Sequence, residues 1–215
     1  MLDKKCRSMD IMKYKKKGVR NMNKSTYQSY TSLIGILAAV TALAYAYFFV
    51  VAKDVLLYSI SLTLLGLFTL KLFVVLYGRL KEVHEGIARI AVTLAGVGAV
   101  GMLAHGGYDL ANAINPPVAI NTSLPSQVDP RGLLAFGITG LGILKISYLM
   151  SKDKYFPKNL SALGYVSGIL LVVIYLARLT VLDPTNPVLL YPVLANGFIA
   201  GPLWYLWVGL SLRKG

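Results

Sequence analysis

Six stretches of mostly apolar residues, near 31–52, 55–78, 87–108, 132–150, 160–182 and 188–212, take up most of this 215-residue chain. An α-helix rises 1.5 Å per residue, so roughly 20 such residues cross the hydrocarbon of a bilayer. Inside lipid every backbone N–H and C=O needs a partner within the protein, and a helix supplies one for each. The expectation is an all-α fold, a polytopic integral membrane bundle of six transmembrane helices. Composition agrees, because 56% of residues are hydrophobic and 14% charged, too little polar surface to clothe a water-soluble domain of this size. The chain then divides into a basic N-terminal tail over 1–29 and a transmembrane domain over 30–215. The first apolar run is long enough to span and comes after a long polar stretch, so it reads as an uncleaved span, not a signal peptide.

The formal net charge of +13 is unevenly placed. Lysines and arginines crowd the tail (Lys4, Lys5, Arg7, Lys13, Lys15, Lys16, Lys17, Arg20, Lys24), the second connection (Arg79, Lys81, Arg89), the fourth (Lys152, Lys154, Lys158) and the C-terminus (Arg213, Lys214). The other side of the membrane receives Lys53, Arg131 and Arg178. Loops rich in basic residues stay in the cytoplasm, so both termini are expected there, in a multi-pass protein of the cell membrane. The tail lacks the interleaved stacking aromatics of a nucleic-acid site. Its expected partners are anionic lipid headgroups, not RNA or DNA. A second copy of the chain or a larger membrane complex is also compatible with so much apolar surface. Cys6 is the single cysteine, so no internal disulfide and no thiolate metal cluster can form.

Cap chemistry marks several junctions. Asp129-Pro130 and Asn186-Pro187 each read as an N-cap with proline next to it in the first helical turn, and Asn159 comes soon after Pro157 at the start of the fifth span. At an offset of 133, Gly35-Ile36-Leu37 aligns with Gly168-Ile169-Leu170, and Val55-Leu56-Leu57-Tyr58 with Val188-Leu189-Leu190-Tyr191. The first hairpin thus resembles the last in parallel orientation. Apolar sequences also match by chance, and both explanations stand.

On the third predicted span Ala91, Ala95, Gly98, Met102, His105, Asp109 and Asn112 share one face, and on the fifth Gly164, Gly168, Leu171, Tyr175 and Arg178 do so. Small residues let backbones approach in a membrane. The third and fifth helices are therefore expected to touch at their inner ends and diverge outward. The divergence leaves a polar vestibule lined by His105, Asp109, Asn112, Tyr175 and Arg178, with Asn196 and Tyr191 from the last helix. Ionisable groups within a span cost several kcal/mol unless paired or hydrated, so Asp109 and Arg178 are the expected ion pair. Whether that pair locks two helices or forms part of a ligand site stays open.

His105 is also one helical turn from Asp109 and suited to hydrogen-bond it. His84, the other histidine, lies too far along the chain to share a haem iron with it. His105 with Asp109 makes at most half a zinc site. No cofactor is expected. Lys71 and Lys145 reach toward the cytoplasmic headgroups by extending their stems. Pro202 interrupts the sixth span and frees the carbonyl of Phe198. The Gly197 to Gly201 spacing suits close packing, and Trp204 and Trp207 suit an interfacial anchor.

The segments His105-Gly106-Gly107-Tyr108-Asp109-Leu110-Ala111-Asn112, Val128-Asp129-Pro130-Arg131-Gly132-Leu133 and Gly201-Pro202-Leu203-Trp204-Tyr205-Leu206-Trp207-Val208-Gly209-Leu210 together resemble bacterial and archaeal six-helix proteins of the domain-of-unknown-function family 4386. The resemblance runs from about residue 30 onward. It implies a six-span fold and brings no activity and no catalytic residue. The sequence carries no nucleotide-binding loop or nucleophile elbow. The leading expectation is a non-enzymatic accessory, assembly or sensor-like protein whose vestibule binds a small ligand or lipid headgroup. The alternatives are a small-solute transporter and an intramembrane enzyme using His105 and Asp109 for proton transfer.

Overall fold

The computed structural model describes residues 24–116, 128–181 and 183–213. Cys6, the basic tail before Lys24 and the part of the long loop at 117–127 lie outside the described residues. Among the described residues every regular element is helical. In order they are α1 (Lys24–Ala46), continued by a π-helical segment (Tyr47–Ala52), and α2 (Val55–Ile114). A 3-10 turn (Pro130–Gly132) and a π-helical segment (Leu133–Ile138) lead into α3 (Thr139–Lys152), and α4 (Lys158–Thr180) comes next. The last rod comprises α5 (Pro187–Ala195), a π-helical segment (Asn196–Ala200) and α6 (Gly201–Arg213). Helix already begins at Lys24, ahead of the boundary expected at residue 30.

Five continuous helical stretches are long and apolar enough to cross a membrane, where the sequence suggests six. The difference lies in α2, which joins the second and third predicted spans. His84 has extended backbone angles inside it (φ −162, ψ 101), and its ring Nδ1 accepts the N–H of Ile87 at 3.2 Å, capping the second arm of the helix. In a straight helix residues 66 and 99 would lie about 50 Å apart. Here a Cβ on Gly66 would strike the backbone of Ala99 and Leu103, and one on Gly106 would strike Thr63. The two arms of α2 therefore fold back on each other at His84.

The rods close into a ring in chain order. Each packs on the next, and α6 returns to lie along α1. Missing Cβ atoms allow this: Gly35 lies against Gly209, Gly142 against Ala95, and Gly140 against Gly168. The stripe Ala91, Ala95, Gly98 and Met102 is buried, as its spacing suggests. Its partner is different from the one expected. Gly98 and Ala95 meet Thr139 and Gly142 of α3, while Gly164 and Gly168 meet Ser147 and Gly140 of the same helix. The third and fifth predicted spans thus do not grip each other; α3 stands between them and receives both stripes.

Two poles result. At one, Arg79 Nε pairs with Asp153 Oδ2 at 3.2 Å, the Arg79 guanidinium covers the Tyr155 ring at 4.4 Å, and Tyr155 Oη donates to the carbonyl of Ser211. The described chain ends, Lys24 and Arg213, share this pole, because α1 and α6 run antiparallel. Lys53, Asp129, Arg178 and Asp183 mark the opposite pole. Between them the outward faces are apolar and exposed, as at Val40, Val74, Val100 and Ile169. Lys71 and Lys145 also point away from the core. Trp204 is fully buried beside Tyr205, which corrects its assignment as an interfacial anchor; only Trp207 is exposed.

Glycine positions in contact should not tolerate a methyl group. Gly142→Ala is expected to destabilise the protein by about 1–3 kcal/mol in detergent unfolding. Gly78→Ala, with open space around it, should be neutral or stabilise by up to about 1 kcal/mol. Equal effects would contradict this packing.

Candidate functional site: a basic-rimmed cavity

Near the Lys53 pole the ring encloses a cavity of about 610 Å³, within the range typical of small-ligand sites. All three π-helical segments border it, through Phe49 and Val50, Ala135 and Phe136, and Asn196 and Gly197. π-Turns insert an extra residue and are common at functional sites. The one at Asn196–Ala200 closes with Gly201 N–H donating to the carbonyl of Asn196, immediately ahead of Pro202. Pro202 itself lines the cavity.

The lower wall is apolar, with Leu62, Leu65, Met102 and Leu171. Its polar groups largely satisfy one another: Thr139 Oγ1 donates to the carbonyl of Leu134 at 3.0 Å, and Ser167 Oγ donates to Asn196 Oδ1 at 2.8 Å. The rim carries Lys53, Arg131 and Arg178, and among the described residues no carboxylate lines the cavity. Lys53 and Arg131 have left-handed backbones (φ 54 and 60), and no other non-glycine described residue does. For a residue with a Cβ that conformation costs about 1–2 kcal/mol, and such strain gathers at functional sites.

Neighbouring side chains hold the rim in place. Asp54 accepts the N–H of Leu57 at 2.9 Å and starts α2 directly after Lys53. Asp129 is buried and accepts the N–H groups of Leu134 and Ala135 at 2.8 and 2.9 Å. It therefore caps as expected, but across the 3-10 turn that positions Arg131. Asn186 accepts the N–H of Val188 at 3.0 Å, as its place before Pro187 suggests. Arg131 Nη1 donates to the carbonyl of Arg178 at 3.3 Å, and the Arg178 guanidinium lies over Phe136, 5.4 Å from its centroid.

Of the residues expected in the vestibule, Arg178 and Asn196 line the cavity. Tyr175 does not; its ring packs over Gly137 on the flank of α4 facing α3. Asn112 also lies off the wall, and Tyr191 is exposed on α5. His105 and Asp109 pair with each other, Nε2 to Oδ2 at 3.1 Å, and Tyr58 Oη donates to the same carboxylate oxygen at 3.2 Å. Among the described residues no ion pair within 4.0 Å joins Asp109 to Arg178. That expectation is corrected: Asp109 faces the leading arm of α2, and Tyr45 separates it from the cavity. Tyr45 lines the cavity and packs edge-on against Tyr58, with centroids 6.4 Å apart. Among the described residues no three histidine, cysteine or carboxylate side chains gather as metal ligands would.

Comparison of the chain with protein-family models, curated proteins and solved structures finds no match. The site therefore rests on its own geometry. Sequence reasoning missed Tyr45, Phe49, Lys53 and Arg131 as lining residues. A signal was present: Lys53, Arg131 and Arg178 are the basic residues that the loop-by-loop charge distribution sets apart from all the others.

Two measurements check the site. A cycle of Tyr58→Phe and Asp109→Ala should give a coupling of about 0.5–1.5 kcal/mol in stability, whereas Asp109→Ala with Arg178→Ala should couple by less than about 0.5 kcal/mol. Thr185 at the mouth donates its hydroxyl (2.7 Å) and its N–H (2.8 Å) to Asp183 Oδ1, holding that carboxyl below its ordinary 3.8. A lowered value means the turn is favoured above 3.8 and loosens as pH falls through the lower folded value. The Thr185 amide resonance should titrate with a midpoint under 3.8; a midpoint above it contradicts the geometry.

Proposed function

We propose that this chain is a non-enzymatic integral membrane protein that binds a small ligand or lipid headgroup in an outward-facing cavity. In this reading α2 supplies two of six spans, both chain termini lie in the cytoplasm, and membrane lipids are the constant partners. The carrying observation is that three basic residues of one pole, Lys53, Arg131 and Arg178, converge on one cavity that no carboxylate among the described residues lines. Three cations at one mouth favour an anionic group, since charge-assisted hydrogen bonds are about twice as strong as neutral ones. The distribution of basic residues supports the orientation: the His84 pole carries Arg79, Lys81, Arg89, Lys152, Lys154 and Lys158.

Binding is favoured over transport because the other half of the bundle is filled. Leu72, Leu76, Ile146, Met150 and Trp204 are fully buried there. Lys71 points away from the core and not into a channel. The enzyme reading lacks a substrate position, since neither His105 nor Asp109 lines the cavity. The resemblance to domain-of-unknown-function family 4386 agrees with six spans and adds no activity.

Thiol chemistry in intact cells tests this reading. In a Cys6→Ser background, Val193→Cys on the cavity wall should react from outside with an impermeant thiosulfonate, and Lys154→Cys should not. A negatively charged reagent should react about tenfold faster than a positively charged one. That preference should vanish in Lys53→Gln/Arg178→Gln. Reaction at Lys154→Cys alone, or no charge preference at Val193→Cys, would overturn the proposal.

A further inference from the structure

We infer that the occupant of the cavity is an anionic amphiphile with one acyl chain, entering sideways from the outer leaflet. This rests on the reading of the cavity as an outward-facing binding site. Cations sit only at the rim, while Leu62, Leu65, Met102 and Leu171 form the depth. A small inorganic anion would need the rim alone and would leave that apolar depth without an occupant of its own kind. An acid head with a hydrocarbon tail matches both ends.

The size of the cavity fits such a molecule. At roughly 30 Å³ per water-sized group, 610 Å³ has room for at least on the order of 20 non-hydrogen atoms. That suits a single long acyl chain with a carboxylate or a monoacyl phosphate head. α1 and α6 pack closely through Gly35 and Gly209, and one level up Gly197 meets Ala46. Beyond that level the Tyr47–Ala52 segment and α5 do not pack closely on each other. Phe49, Val50, Leu190 and Val193 line the cavity at this gap, and Tyr47, Val51, Val188 and Tyr191 flank it with exposed faces. In a bilayer such a gap faces lipid. Asp129, the buried carboxylate behind the rim, has its two oxygens engaged by the N–H groups of Leu134 and Ala135.

Photolabelling of the full chain in nanodiscs of zwitterionic lipid, with palmitate carrying a diazirine in mid-chain, tests the inference. Label is expected on peptides containing Leu65, Met102 or Leu171. Unlabelled palmitate or a monoacyl phosphate should displace it, the better of the two identifying the head group, and hexadecanol at the same mole fraction should not. The Lys53→Gln/Arg131→Gln/Arg178→Gln variant should lose at least about tenfold of the signal. Lys53→Gln alone, at an exposed position, should lose several-fold and covers the case in which the triple variant does not fold. Val50→Trp, which fills the gap, should slow labelling; an unchanged rate overturns sideways entry. Label confined to lipid-facing Val40, Val74 and Ile169, or full displacement by hexadecanol, overturns the amphiphile. Displacement by millimolar inorganic phosphate likewise overturns it while leaving an outward anion site in place. The thiol assay at Val193→Cys judges that site separately.

Discussion

Backbone-to-backbone approach at a few positions without side chains determines the rest of this structure. In lipid there is little hydrophobic drive to bring one apolar helix to another, so close packing and buried polar contacts must do it. Gly35 on Gly209, Gly142 on Ala95 and Gly140 on Gly168 are among the places where the rods meet tightly, and α3 is the hub because two stripes converge on it. Toward the Lys53 pole the Tyr47–Ala52 segment and α5 no longer pack closely on each other. The cavity is the space left between them, so packing at one level and an opening at the next have the same cause.

The three π-helical segments belong to the same account. Each falls on a rod that borders the cavity, and each offsets the helix where a regular continuation would carry side chains to other positions. The left-handed backbones of Lys53 and Arg131 add cost at the rim. Energy stored there makes sense when the residue must present a cation at one place. Glycine would relieve the strain and remove the charge.

Much of the architecture was legible in the sequence because a bilayer allows few solutions. Apolar length identified helices, and the buried stripe through Ala91, Ala95 and Gly98 identified a packed face. What a stripe does not encode is its partner. The stripes through Gly98 and Gly168 read as mates because both are rich in small residues, yet the intervening helix carries Gly140 and Gly142, which receive them. The site was half legible for a similar reason. Arg178 and Asn196 stood out as polar residues in apolar runs, and the His105 bond to Asp109 is dictated by their spacing of one helical turn. Asp109 and Arg178 carry opposite charges at similar depth, but depth says nothing of position around the ring. Tyr45 and Tyr58 occupy the place where their pairing was expected.

The central claim is that three cations from three parts of the chain frame one outward cavity made for an acid with a hydrocarbon tail. An electron cryo-microscopy map of the chain in nanodiscs with palmitate addresses it directly. The account predicts elongated density whose head meets Lys53, Arg131 and Arg178 and whose tail descends to Met102. A map in which side chains fill that space, or in which the three cations point to separate surfaces, would contradict it.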